Sequence, residues 1–416
     1  MPLFKEKALR WAQQFEEITW LDSNNPNLNK SEFNQSEFDS LLAVDSLSSL
    51  TTDKFEEIKS YQASTNDFIF GYFAYDLKND IENLQSKNFD GIDFPNAHFF
   101  QPKRIISIKG EVANFFYIDE SLIETDILEI EKTEVSKNSN SEKTTIQSRI
   151  SKDEYLKKVS KALDYIHRGD IYEMNLCQEF YAENVTLDTA ETYSKLNKIS
   201  TPPFATFFKL KDKYLLSASP ERFLKRKRKE VISQPIKGTV KRGLSLMEDL
   251  DLKKKLAQDP KEQSENIMIV DLVRNDLSKL ANKGSVKVEE LCKVYTFKQV
   301  HQLISTIRAE IDLDINSVDL IKSLFPMGSM TGAPKVSAMK IIEELEETKR
   351  GIYSGAVGYF TPNGNFDFNV VIRSIAYNAT NKYISLSVGG AITAKSNPER
   401  EYEECLLKAK AMRDVL

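Results

Sequence analysis

The chain has 416 residues, 41% of them hydrophobic and 29% charged, with a formal net charge of −5. That length is enough for a large core in one big or two closely joined domains. The mildly acidic balance excludes a general nucleic-acid or membrane-surface role, and no run of about 18 apolar residues offers a transmembrane helix.

The first residues, Met1-Pro2-Leu3-Phe4-Lys5-Glu6-Lys7, lack the apolar core of a secretory signal, so a cytoplasmic protein is expected. Three cysteines (Cys177, Cys292, Cys405), far apart and odd in number, fit a reducing compartment without disulfides or a thiolate metal site. With His98, His167 and His301 as the full histidine set, any metal must be held by carboxylates, which favours magnesium or manganese.

To about residue 130, strand-like runs at 68–73 and 104–108 mix with polar loops. Residues 134–148, rich in Ser, Asn, Thr and Lys, read as a flexible connection that divides residues 1–148 from 149–416. From Ser151 the pattern turns helical. Ser151-Lys152-Asp153-Glu154 is a capping box, followed by Tyr155, Val159, Leu163 and Ile166 at helical spacing. Strands then alternate irregularly with helices, in hairpins and without an internal repeat or a GxGxxG fingerprint. An α+β architecture with large antiparallel sheets follows. The basic run 225–229, between strand-like segments 221–224 and 231–232, reads as a solvated hairpin tip, because no aromatic residues interleave it.

The chemistry-bearing residues lie in the second part. Pro235-Ile236-Lys237-Gly238-Thr239 sets a lone lysine between a proline turn and a glycine in apolar company. A lysine in an apolar pocket near a metal loses its proton readily and becomes a nucleophile. A helix beginning near Pro260 carries Ile269, Leu272 and Val273 as its core stripe, with Glu265 one turn earlier on the same side. A buried carboxylate there requires either a metal or a salt-bridge partner. Arg274-Asn275-Asp276 is expected to end this helix in a buried polar network. The glycine-rich segment 325–336 runs into a helix whose first turn holds Pro334 and whose free N–H groups suit a carboxylate or phosphate. Its spacing is not that of a Walker loop, and a plain turn capped by Thr331 is the other reading. Arg373 is a charge in an apolar strand and needs an anionic partner. Val388-Gly389-Gly390-Ala391-Ile392 offers a second closely approachable backbone. The final helix, opening at Asn397-Pro398, places Glu401, Glu404 and Lys408 on one face. Alone, that face reads as solvated pairing; together with Glu265 it suits magnesium, with positions left for water and substrate.

In this order the pieces resemble the chorismate-utilising enzyme family. The matching stretches are 169–176, Ser219-Pro220-Glu221-Arg222-Phe223, 235–239, 265–277, 301–305, 327–335, 353–360, 372–374 and 389–404. The match is strong from about residue 150 onward and loose before it. The resemblance implies antiparallel sheets forming a sandwich flanked by helices, with the active site in the cleft between sheets and helices. It implies Mg2+ held by Glu265 and Glu404, with Glu401 in or beside the same shell, binding the ring carboxylate of chorismate. Arg373, Tyr353 and the backbone of Gly389, Gly390 and Ala391 would meet the second carboxylate. Ser329 and His301 would lie near the reacting ring, and Lys408 would face substrate or metal. Neutral Lys237 would add to the second ring carbon as the hydroxyl on the fourth leaves, with Glu221 as general acid and His301 beside the chemistry. Ammonia would then expel the lysine to give 4-amino-4-deoxychorismate, on the route to para-aminobenzoate and folate.

Within the family, lysine at 237 marks that branch, where anthranilate-forming members usually carry alanine. Leu41-Leu42-Ala43-Val44 also stands in place of a tryptophan-feedback motif. Glu173 departs from both the water-activating lysine of the isochorismate- and salicylate-forming members and the glutamine common in amine-transferring ones; Ser354 replaces a frequent glycine. No amidotransferase domain is evident, so ammonia is expected from a separate glutamine amidotransferase subunit. An anthranilate-forming enzyme and a non-catalytic chorismate-binding homologue remain the alternatives.

Overall fold

The computed structural model describes residues 1–24, 38–135, 144–298 and 300–416. Its strands form antiparallel ladders that make up two sheets joined through one long strand, Ala97–Lys109. One sheet runs from that strand through Ser40–Thr52, Glu17–Asp22, Phe204–Leu210, Lys213–Ser219, Ser374–Asn378 and Tyr383–Thr393 to Glu173–Ala182. The other runs through Ile69–Phe73, Ala356–Phe360, Phe366–Val370, Arg222–Lys227 and Glu230–Gln234 to Val300–Glu310. Val300–Glu310 also pairs with Ile236–Lys241 and Lys287–Thr296.

Side-chain alternation explains why the two sheets face each other. Leu41 and Ala43 enter the layer between the sheets, while Leu42 and Val44 point to the helices on the far side. In the other sheet Phe70, Tyr72 and Phe100 enter the same layer, and Phe73 and Phe99 point away from it. Tyr72 packs edge-on to Phe208 and Phe94 at centroid distances of 5.2 and 5.5 Å. Such pairs add about 0.5–1.5 kcal/mol each beyond simple burial.

Helices cover both outer faces. Pro2–Ala12, Lys152–Arg168, Thr189–Ser200, Lys335–Leu345 and Pro398–Arg413 pack on the first sheet. Phe55–Thr65, Pro260–Ser278 and Ser317–Leu324 pack on the second. This is the expected α+β sandwich flanked by helices. The Ser151 capping box is present, with the Glu154 side chain returning to the Ser151 backbone. No helix among the described residues is long and apolar enough to cross a membrane.

Strands from the first 148 residues contribute to both sheets, Glu17–Asp22 beside Phe204–Leu210 and Ile69–Phe73 beside Ala356–Phe360. Of the connection expected over 134–148, residues 136–143 lie outside the described residues. Its end, Gln147–Ser148, is a short strand beside Tyr181 and Phe180. The basic hairpin also differs from expectation. Its turn is at Arg228 (φ 56°), but Lys225 and Arg226 are buried. The Arg226 guanidinium donates to the carbonyls of Asp312, Leu313 and Ile315, so only 227–229 form a solvated tip.

Candidate active site

The acidic cluster is assembled by two helices whose starts are well capped. Asp259 accepts from the backbone N–H groups of Lys261 and Glu262 ahead of Pro260–Ser278, and Asn397 accepts from Arg400 at the start of Pro398–Arg413. Glu265, Ile269 and Val273 are buried on the first helix, whereas Leu272 is only half-buried. Of the polar residues expected to close that helix, Asp276 alone is buried, holding Lys335 at 2.6 Å, while Arg274 is exposed and pairs with Asp271.

Glu265 and Glu401 converge on Lys261, whose Nζ lies 3.7 Å from Glu265 Oε1 and 3.3 Å from Glu401 Oε1. Gly390 lets this happen at the sheet surface. A Cβ there would sit 3.3 Å from Glu401 Oε2 and 3.8 Å from Glu404 Oε1. Glu404 pairs with Lys408 at 2.6 Å, and Lys408 donates to the Gly389 carbonyl at 2.7 Å. Gly389 itself cannot take a side chain, because a Cβ would lie 2.6 Å from the Leu176 carbonyl oxygen on the paired strand. Ala391 faces Asn175 in the same ladder.

Among the described residues, no group of three or more histidines, cysteines or acids is placed so that it could hold a metal ion. The chemistry of the cluster nevertheless fits a cation. Glu265 Oε1 and Glu401 Oε2 are buried without a hydrogen bond, and the Lys261 ammonium already lies among the carboxylates. Burial pushes the Glu265 carboxyl up to about 7, against the pull of Lys237 and Lys261. Lys261 stands one turn before Glu265, a spacing visible in the sequence, but its reach to Glu401 depends on tertiary packing.

Lys237 lies on Ile236–Lys241 opposite Leu303. The register slips between Lys237 and Thr239, at Gly238 with φ 80°, and such a bulge re-aims side chains next to a site. The amine meets Glu173 Oε1 at 2.8 Å. Burial works to strip its proton, but Glu173, Glu265 and Glu221 outweigh burial and raise its pKa above lysine's ordinary value. The expected neutral amine is therefore corrected: in this state Lys237 is an ammonium ion-paired to Glu173.

Glu221 follows Pro220 between Lys213–Ser219 and Arg222–Lys227, and its Oε1 accepts from Ser329 Oγ at 2.7 Å. Burial pushes this carboxyl up to about 7, with Ser329 and Lys237 pulling against it. Ser329 sits on the single 3₁₀ turn Gly328–Met330. Thr331 closes that turn by donating to the Met327 carbonyl at 3.0 Å, so it does not cap the following helix. Pro334 is the N-cap residue of Lys335–Leu345 and not part of its first turn.

Arg373 is not inside a strand. It occupies the bend between Phe366–Val370 and Ser374–Asn378 at φ 54°, with its carbonyl accepting from Ala218 N–H. No hydrogen bond or ion pair to a described residue engages its guanidinium. Burial lowers its pKa, and Tyr353 and Glu404 oppose that shift. Tyr353 is buried beside Cys177, whose thiol lies 3.8 Å from the phenol oxygen. An arginine this poorly matched inside a protein is a ready receptor for an anionic ligand.

His301 departs from the expected position at the chemistry. Its Nδ1 pairs with Thr296 Oγ1 at 2.9 Å and its Nε2 with Asp249 at 3.0 Å. Asp249 also holds Arg242 and the Gly243 N–H. Both ring nitrogens are thus committed, Nε2 to the helix Leu246–Gln258 and Nδ1 to the end of the neighbouring strand Lys287–Thr296. A network absent from the sequence reading lies behind the site. Buried Arg350 binds the Glu346 carboxylate and the carbonyls of Met330 and Asn175, tying the Ser329 turn to Glu173–Ala182. Its only sequence signal was the helical i, i+4 spacing of Glu346 and Arg350.

The family model described as chorismate binding enzyme matches residues 7–414. The chain is 44% identical over 285 residues to a probable chloroplastic aminodeoxychorismate synthase of Oryza sativa subsp. japonica, covering 68% of this chain and 31% of that protein. It is 35% identical over 336 residues to aminodeoxychorismate synthase component 1 of Klebsiella aerogenes, covering 80% of this chain and 74% of that protein. The chain thus spans about a third of the plant relative and about three quarters of the bacterial one. Its fold matches the crystal structure of anthranilate synthase component I from Streptococcus pneumoniae TIGR4 with a TM-score of 0.79 at 25% identity, over 90% of this chain and 91% of that one.

Proposed function

We propose that this chain, which belongs to the chorismate binding enzyme family, converts chorismate and ammonia into 4-amino-4-deoxychorismate through a covalent adduct on Lys237. One observation carries the reading. A buried amine is paired with one carboxylate, Glu173, and influenced by a second, Glu221, whose pKa near 7 suits a general acid. The names of the plant and Klebsiella aerogenes relatives support the amine-transferring branch.

Arg373, free of protein partners among the described residues, takes one carboxylate of chorismate, with Tyr353 beside it. The ring carboxylate would lie toward Glu265, Glu401 and Glu404, the residues that would hold magnesium; a cation bound there would supply Lewis acidity toward the ring carboxylate. Lys237, once deprotonated, adds to the second ring carbon. Glu221, positioned by Ser329, protonates the hydroxyl leaving the fourth. Ammonia then attacks the fourth carbon and the lysine departs, so that one hard substitution becomes two easier ones. Ammonia comes from a separate glutamine amidotransferase subunit, in keeping with the word component in the name of the Klebsiella aerogenes relative.

The likeness to an anthranilate synthase structure favours a second reading, formation of anthranilate. Incubation with chorismate, magnesium and an ammonium salt separates the two by mass spectrometry and fluorescence. The expected product is 4-amino-4-deoxychorismate, lost on chelation with EDTA and restored by magnesium. Direct formation of fluorescent anthranilate would overturn the assignment.

A further inference from the structure

The covalent reading requires Lys237 as a free amine, yet the fold holds it as an ammonium. The Lys237 and Glu173 side chains are 10% and 2% exposed and meet at 2.8 Å. Glu173 Oε2 is buried and makes no hydrogen bond. Four other carboxyls face the amine electrostatically: Glu221, Glu262 and Glu265 on the Pro260–Ser278 helix side and before Arg222–Lys227, and Glu404 on the last helix. No hydrogen bond or ion pair among the described residues joins any of these four to Lys237. Glu221 is engaged by Ser329, Glu265 by Lys261 and Glu404 by Lys408. Glu173 is the carboxylate in contact with the amine, and it has an oxygen to spare.

We propose that Glu173 stores the proton of Lys237 during the reaction, taking it before the lysine attacks and returning it after the lysine leaves. This rests on the covalent reading above and assigns Glu173 a role exerted through Lys237. When substrate closes over the pair, exchange of one proton turns an ion pair into two neutral groups, which a dry site favours without any change in net charge.

The cycle balances. The proton passes from Nζ to Glu173, leaving an amine and a carboxylic acid. The amine lone pair bonds to the second ring carbon, both double bonds of the ring diene shift the other way around the ring (from carbons one and two to one and six, and from five and six to four and five), and the electron pair of the bond to the fourth-carbon oxygen leaves with the hydroxyl. That hydroxyl takes the Glu221 proton and departs as water. The adduct nitrogen is now a secondary ammonium. Ammonia bonds to the fourth carbon, both ring double bonds shift back, and the carbon–nitrogen pair returns to Lys237 as a neutral amine. The product ammonium gives a proton to Glu221, and Glu173 gives its proton back to Lys237. The net change is chorismate plus ammonia to amine plus water.

The test follows adduct formation in the full chain with chorismate and magnesium, without ammonia, by rapid quenching and intact mass. Wild type, Glu173→Gln and Glu173→Asp are compared from about pH 6.5 to 8.5. In wild type the lysine proton never leaves the site. In Glu173→Gln it must go to solvent, so the ratio of variant to wild-type rate should rise about tenfold per pH unit. Any loss of Glu221 protonation cancels in that ratio. Glu173→Asp keeps a carboxylate, and its ratio to wild type should stay flat. A flat ratio for Glu173→Gln, or a pH-dependent one for Glu173→Asp, would overturn the proposal, since a merely structural role lowers the rate equally at every pH. Should wild type turn chorismate over without any adduct, the covalent reading falls and the proposal with it. Adduct in wild type with a flat Glu173→Gln ratio sinks the Glu173 role alone.

Discussion

Between the two sheets, Phe70, Tyr72, Phe100 and Phe208 are fully buried and pack ring against ring. In the cleft under the helices, Glu173, Glu221, Glu265 and Glu401 are buried almost as deeply. The first region gains roughly 25 cal/mol for each Å² of apolar surface removed from water, and of its four rings only Tyr72 carries a polar atom that resists burial, a hydroxyl without a hydrogen-bond partner. The second removes carboxylates from water and leaves oxygens of Glu173, Glu265 and Glu401 without hydrogen bonds. The difference teaches where this molecule keeps its stability and where it gives stability up: the rings hold the sandwich shut, and the cleft keeps buried carboxylate oxygens that no described residue hydrogen-bonds.

The sharpest way to break that contrast is to delete one group from each region. Lys237→Ala should lower turnover about a thousandfold or more, the scale expected for loss of a nucleophile. Phe208→Ala should instead cost about 3–5 kcal/mol of stability in urea titration while each folded molecule keeps its activity. Activity loss without destabilisation in Phe208→Ala would erase the distinction.

Glu221→Gln sharpens the comparison, because one residue should show both behaviours. Its carboxyl is held at about 7 in the folded chain against an ordinary 4.5. A pKa raised by folding gives stability that is full below about 4.5 and lost as pH rises through about 7. The glutamine variant escapes that loss. Relative to wild type it should gain on the order of 3 kcal/mol between pH 5 and pH 8, read from urea midpoints at the two values. Its turnover should fall about 10²- to 10⁴-fold. The smallest effect is expected from Gly390→Ala, whose new methyl group meets Glu401 Oε2 at 3.3 Å. Magnesium affinity, measured by titrating activity, should weaken about tenfold as the carboxylate is pushed aside.

Much of the architecture was legible because it is written in local patterns. The Ser151 box, the Asn397-Pro398 helix start and the stripe expected at Ile269, Leu272 and Val273 with Glu265 are short-range signals, and all appear where expected except that Leu272 is only half-buried. What escaped depends on partners far away in sequence. The charge on Lys237 is set by Glu173, which reaches it only because Glu173–Ala182 pairs with Tyr383–Thr393 at the edge of the other sheet. The apolar run before Arg373 hid a bend, since nothing in Val370-Val371-Ile372 announces an arginine in the left-handed region. Arg226 reads as a surface charge until the carbonyls of Asp312, Leu313 and Ile315 gather around it. His301 matched a motif position, but its ring orientation follows from Asp249 on a separate helix.

The joining of both sheets through Ala97–Lys109 has a consequence for how the molecule is made. Phe73 pairs with Ala356 and Ile18 with Lys209, so strands leaving the ribosome early must wait for partners synthesised far later. During that interval they present unsatisfied backbone edges, the kind of surface that seeds aggregation and draws chaperones. Refolding from denaturant should accordingly be slow and concentration-sensitive, with the yield set by how long those early edges stay open.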